Sequence, residues 1–130
     1  MLAALLVAPA CQTPGTSARA TAEAFLDAHY VRIDLEGSRA LSSGLALSKI
    51  DKEIALTEDQ EITDETRQPR INYRLEHAAE GDGSAQFAYE LTIRAAGIDP
   101  FRKLVMITVR NEHGAWTVTN YNESDTLGSG

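Results

Sequence analysis

Ile71-Asn72-Tyr73-Arg74-Leu75-Glu76-His77 alternates ring or aliphatic side chains with polar ones. Successive side chains of an extended chain point to opposite sides, so this stretch reads as a strand with one buried face. The same period recurs downstream. Gly81-Asp82-Gly83 supplies turn residues tolerant of positive φ, and the next stretch sets Phe87, Tyr89, Leu91 and Ile93 against Gln86, Glu90 and Arg94. A turn at residues 97–100 leads to a third strand. There Phe101, Val105, Ile107 and Val109 are interleaved with Arg102, Leu104, Met106 and Thr108, the mixed pattern of a central strand partly covered on both faces. Asn111 to Gly114 makes the last hairpin, after which Trp116 and Val118 oppose Thr117 and Thr119.

Upstream the period changes to that of helices. Thr21 is the expected N-cap of a first helix, with Glu23 in its first turn and Phe25, Leu26, Tyr30 and Ile33 on one face. That helix is expected to end between Asp34 and Gly37. A second helical stretch over residues 38–55 carries Leu47, Ile50 and Ile54 with Leu41 and Leu45 beside them, and Gly44 with its neighbouring serines marks a bend or break. Helices first, then hairpin-linked strands, gives an α+β fold of N-terminal helices packed on a curved antiparallel sheet of about four strands. The helices cover the apolar face of the sheet because nothing else in the chain can. One domain is expected over residues 21–123, with a polar, frayed tail at residues 124–130.

Composition narrows the function classes. A net charge of -7 without a basic stripe argues against a nucleic-acid partner. The acidic residues Asp51, Glu53, Glu58, Asp59, Glu61, Asp64 and Glu65 read as a solvated connection; a calcium loop needs a central glycine, and this stretch has none. His29, His77 and His113 are too scattered for a local metal motif, so no metal is expected. Gly81-x-Gly83 is a hairpin with no helix behind it, and no Gly-x-Ser-x-Gly occurs, so neither a phosphate-bearing cofactor nor an activated serine is expected.

The N-terminus carries an address. Leu5-Leu6-Val7-Ala8-Pro9-Ala10-Cys11 is an apolar run stopping at the chain's only cysteine, followed by a Gln/Thr/Pro/Gly/Ser/Ala stretch. It resembles a bacterial lipoprotein signal peptide, with residues 1–10 removed and Cys11 lipidated; Pro9 and the lack of an early Lys or Arg depart from that pattern. Residues 11–20 then form a flexible tether. The resemblance implies a bacterial cell-envelope protein, held by its lipid and facing the periplasm or exterior. With Cys11 spent, the fold must be stable without a disulfide.

The order of elements, together with Ala22-Glu23-Ala24-Phe25-Leu26-Asp27-Ala28 in the first helix and Gly114-Ala115-Trp116-Thr117-Val118 in the last strand, resembles the nuclear transport factor 2-like superfamily over about residues 21–123. The resemblance implies a cone-shaped domain with a pocket between helices and sheet, and it includes isomerases, dehydratases and assembly modules, so fold does not settle function. The acidic stretch over residues 57–68 departs from many members; a short strand near residues 61–63 or an irregular loop could occupy it. Expected pocket residues are Phe25, Tyr30, Tyr73, Phe87, Tyr89 and Trp116.

Tyr73, His77, Tyr89 and Asn120 are expected on the inner sheet face, with Asp27 or His29 reaching in from the helix. An isomerase or lyase site would use His77 as base and Tyr73 or Tyr89 as oxyanion donor. No aspartate stands at an inner strand position, so binding without turnover is the first expectation. The outer face, with Thr92, Leu104, Met106, Thr117, Thr119 and Tyr121, is more apolar than solvation requires and is expected to meet a second copy or an envelope protein. A structural accessory of an envelope complex is the remaining alternative; a cone filled by Phe25, Tyr30, Phe87 and Trp116 would favour it.

Overall fold

The structure is a computed structural model that describes residues 17–59 and 70–125. Cys11, the leader, the first part of the tether, any strand near residue 61 and the last five residues of the expected tail lie outside them. Helix α1 spans Ala18–Leu26, and a wide π-helical turn, Asp27–Val31, continues it. Helix α2 is Leu35–Ala40 and α3 is Gly44–Thr57, so the expected second helix is divided. The strands are β1 (Arg70–Glu80), β2 (Ser84–Arg94), β3 (Phe101–Glu112) and β4 (Ala115–Asp125). They form one antiparallel sheet in the order β1-β2-β3-β4. The fold is therefore α+β, with helices laid on a four-stranded antiparallel sheet.

Helix α1 begins earlier than the expected Thr21 cap. Ser17, in extended conformation, accepts a hydrogen bond from the Ala20 amide, and Arg19 pairs with Glu23 one turn on. Thr21 instead lies buried and donates its hydroxyl to the Ser17 carbonyl at 2.9 Å. The break in the second helix falls at Gly44, whose φ of +58 suits glycine. The linker ahead of it does more than connect: Ser43 N donates to Val118 O, and Val118 N to Leu41 O, both at 2.8 Å, which pairs the linker with the free edge of β4.

The core holds Phe25, Leu26, Ala46, Ile50, Phe87, Tyr89, Leu91, Val105, Ile107, Val109 and Val118, all fully or almost fully buried. Two bulges decide which side chains join it. Leu75 pairs with Tyr89 but His77 pairs with Ala88, so Glu76 is an extra residue. Likewise Ile107 pairs with Tyr121, Thr108 with Asn120, and Val109 with Val118, leaving Thr119 extra. A one-residue insertion exchanges the faces of everything on its far side. His77 consequently stands with Ala88 on the outer face, exposed, instead of inside. Tyr121 points into the core, 6% exposed, instead of outward, and Asn120 leaves the inner face. At the C-terminus, β4 runs through Ser124 and Asp125, two residues into the expected tail.

Candidate functional site at the mouth of the cone

Helix α1 crosses the sheet and delivers its C-terminal end to the edge where β1 begins, β2 ends, β3 begins and β4 ends. The π-helical turn widens the helix there, closing with the Arg32 amide on the Asp27 carbonyl at 2.8 Å. Such turns recur at functional sites because they re-aim side chains within a helix. Ile33 follows with φ at 53°, a conformation that strains a β-branched residue by on the order of 1 to 3 kcal/mol. The strained Ile33 and the re-aimed Tyr30 line the same cavity. It measures about 280 Å3 and is completed by Ile71, Leu91, Ile93, Phe101, Lys103 and Glu123. Ile71, Ile93 and Phe101 are cross-strand partners, so their side chains form a continuous apolar ledge.

One wall is polar. The Tyr30 hydroxyl donates to Glu123 Oε2 at 2.9 Å, and Lys103 Nζ donates to Oε1 at 3.1 Å. Burial, reinforced by the Glu123 charge, pushes the Tyr30 hydroxyl well above its ordinary pKa, so it remains a donor. Beside this wall lies a second cluster. His29, with a side chain only 7% exposed, meets Glu53 of α3 through Nε2 at 2.6 Å, and the Tyr121 hydroxyl donates to the same carboxylate at 2.9 Å. Phe25, Tyr30 and Tyr121 surround the imidazole, and its Nδ1 has no partner. Lys49 caps the cluster, donating to Asn120 Oδ1, the Tyr121 carbonyl and Asn122 Oδ1 at 2.9, 2.6 and 3.1 Å.

Of the expected pocket residues, Tyr30 lines the cavity. Phe25, Phe87 and Tyr89 are 0% exposed and belong to the core. Trp116 pairs with Asn111 at the opposite end of the sheet. Tyr73 donates to Asp27 Oδ1 at 3.0 Å and Tyr89 to Glu23 Oε2 at 3.1 Å. Both hydroxyls are raised in pKa, by burial first and by those carboxylates next. Their protons are thus committed, and the bulge keeps His77 away from both. Among the described residues no group of three His, Cys, Asp or Glu side chains could hold a metal ion, and no helix is long and apolar enough to cross a membrane.

Sequence reasoning missed Ile33, Ile71, Leu91, Ile93, Phe101, Lys103 and Glu123 as lining residues. A partial signal was there: Ile93 and Phe101 sit at the strand ends flanking the turn at residues 97–100, and a register drawn from that turn pairs them, whereas Ile71 joins them only through the bulged register of β1 with β2. The joining of His29 to Glu53 had no such signal.

No protein-family model and no curated protein matches the chain. Solved structures do. A calcium/calmodulin-dependent protein kinase type II association domain-like protein from Thiobacillus denitrificans ATCC 25259 superposes with a TM-score of 0.68, covering 88% of this chain and 98% of its own, at 11% identity. The shared fold is the α+β arrangement described above, helices laid on a four-stranded antiparallel sheet. Bd1075 of Bdellovibrio bacteriovorus shares it at a TM-score of 0.56 and 8% identity, over 85% of this chain and 39% of the larger protein. At these identities the likeness concerns the fold alone.

Proposed function

We propose that this chain is a lipid-anchored envelope domain that binds a small, largely apolar molecule at the mouth of its cone and leaves it unchanged. The cavity carries this reading: about 280 Å3, just under the roughly 300 to 1,000 Å3 usual for small-molecule sites, and mostly apolar with a few convergent polar groups. The π-helical turn and the strained Ile33 border it, and both features cluster at working sites. An isomerase or lyase reading has less support, because His77 stands on the other face and the Tyr73 and Tyr89 hydroxyls are occupied by carboxylates.

Amide chemical-shift mapping with a panel of small apolar probes tests the binding step. Perturbations should centre on Ile33, Ile71, Ile93 and Phe101, and Ile71→Trp should abolish them; a panel that perturbs nothing at these residues ends the reading. The envelope address rests on the apolar run ending at Cys11. Cys11→Ala should move the protein from the membrane to the soluble fraction of a bacterial host, and equal distribution of variant and wild type would reject anchoring.

A second reading is favoured by the outer sheet face, which no described helix covers and where Met106 is 37% exposed beside half-buried Leu104. The Thiobacillus structure is named for association. In this reading two copies, or this chain and an envelope protein, meet across that face. Sedimentation of wild type against Met106→Glu checks it: a dimer that becomes a monomer supports it, and a monomeric wild type removes self-association.

A further inference from the structure

The polar wall of the cone-mouth cavity is charge-balanced. Among the described residues, Lys103 and Glu123 are the lining residues that carry charge, and they neutralise each other at 3.1 Å. Tyr30 occupies the second Glu123 oxygen. The facing walls of Ile33, Ile71, Leu91 and Ile93 offer nothing to stabilise an ion. A carboxylate drawn in by Lys103 would meet Glu123, and an ammonium drawn in by Glu123 would meet Lys103. Either must displace an existing ion pair while giving up its own hydration, which disfavours it. An uncharged polar group meets no such conflict. An ammonium carries three donors, and among the described residues Lys103 directs one to Glu123, so a hydroxyl or carbonyl oxygen can accept another without disturbing the pair.

We infer that the cavity selects uncharged amphipathic molecules: a short alkyl chain or ring bearing a single hydroxyl or carbonyl. The inference rests on the ligand-binding reading above and adds the charge class of the ligand. The pair is about one third exposed, with side-chain exposures of 35% and 36%, so water screens part of the conflict and the selectivity is moderate.

Calorimetric titration of the full chain with 1-octanol, octanoate and octylammonium tests it, since the three probes share a tail and differ in head charge. Octanol should bind about tenfold tighter than either ion, the scale of one like-charge contact at a screened rim. Glu123→Gln frees Lys103 and should raise octanoate affinity relative to octanol; Lys103→Met frees Glu123 and should do the same for octylammonium. A wild-type preference for either ion, or selectivity unmoved in both variants, overturns the charge inference while the cavity reading stands. Absence of binding by all three probes overturns both. If a variant fails to fold, as checked by circular dichroism, the wild-type ranking alone decides.

Discussion

Glu53 is the residue on which the helices and the last strand converge. Burial opposes its charge, but the hydrogen bond and charge of His29, the Tyr121 hydroxyl and Lys49 outweigh that opposition and hold its carboxyl below the ordinary value of 4.5. Its linkage to stability follows from the sign of that shift. Between the folded and unfolded pKa values the unfolded chain binds the extra proton, so stability rises with pH. The contribution is present above the unfolded value near 4.5 and is lost as pH falls through the lower folded one. Glu53→Gln should therefore flatten the acid limb of a denaturation-midpoint profile below about pH 5, and a limb of unchanged slope would assign acid sensitivity elsewhere. Gly37 is a second decisive residue. Its amide is held by Asp34 Oδ1 at 2.9 Å, and a Cβ there would collide with that carboxylate. Gly37→Ala should cost about 1 kcal/mol through the lost N-terminal cap, read from urea melts; no change would mean that the cap opens freely.

Between elements, tyrosine–carboxylate hydrogen bonds are the recurring device. The chain has four tyrosines, and each donates to a carboxylate on another element: Tyr30 to Glu123, Tyr73 to Asp27, Tyr89 to Glu23, Tyr121 to Glu53. These bonds stitch α1, the π-helical turn and α3 to the sheet. All four hydroxyls are raised in pKa, with burial the leading cause. The stability they contribute is full below the unfolded tyrosine value of 10.0 and is lost as pH rises above it. Alkaline melts should show stability falling beyond pH 10, less steeply in Tyr89→Phe, which should also cost about 1 kcal/mol at neutral pH. A Tyr89→Phe protein as stable as wild type with an identical alkaline limb would show that this bond adds nothing beyond its geometry.

At the scale of the molecule, the described residues share one core between helices and sheet. Phe87 is fully buried in it, so Phe87→Ala should cost about 3 to 5 kcal/mol in equilibrium unfolding. A loss below roughly 1 kcal/mol would place the ring outside the core. The division of the cone follows from the same packing: Phe25, Phe87 and Tyr89 fill its centre, and the cavity of about 280 Å3 opens at the mouth, where the helix leaves the sheet.

The periodicities of residues 71–77, 86–94 and 101–119 determined the meander and hence the fold class, because alternation is a local property of an extended chain with one dry face. The break at Gly44 was legible for the same local reason, a positive φ that glycine takes without strain. What the tertiary structure alone decided is the facing beyond each bulge and the identity of the site. A single extra residue at Glu76 or Thr119 leaves hydrophobicity nearly unaltered yet exchanges inside and outside for His77 and Tyr121. The site's polar pairs are separated by 93 residues for Tyr30 and Glu123 and by 24 for His29 and Glu53. Charged and aromatic side chains at such distances have no local pattern to link them, and only the packing of helix on sheet brings them together.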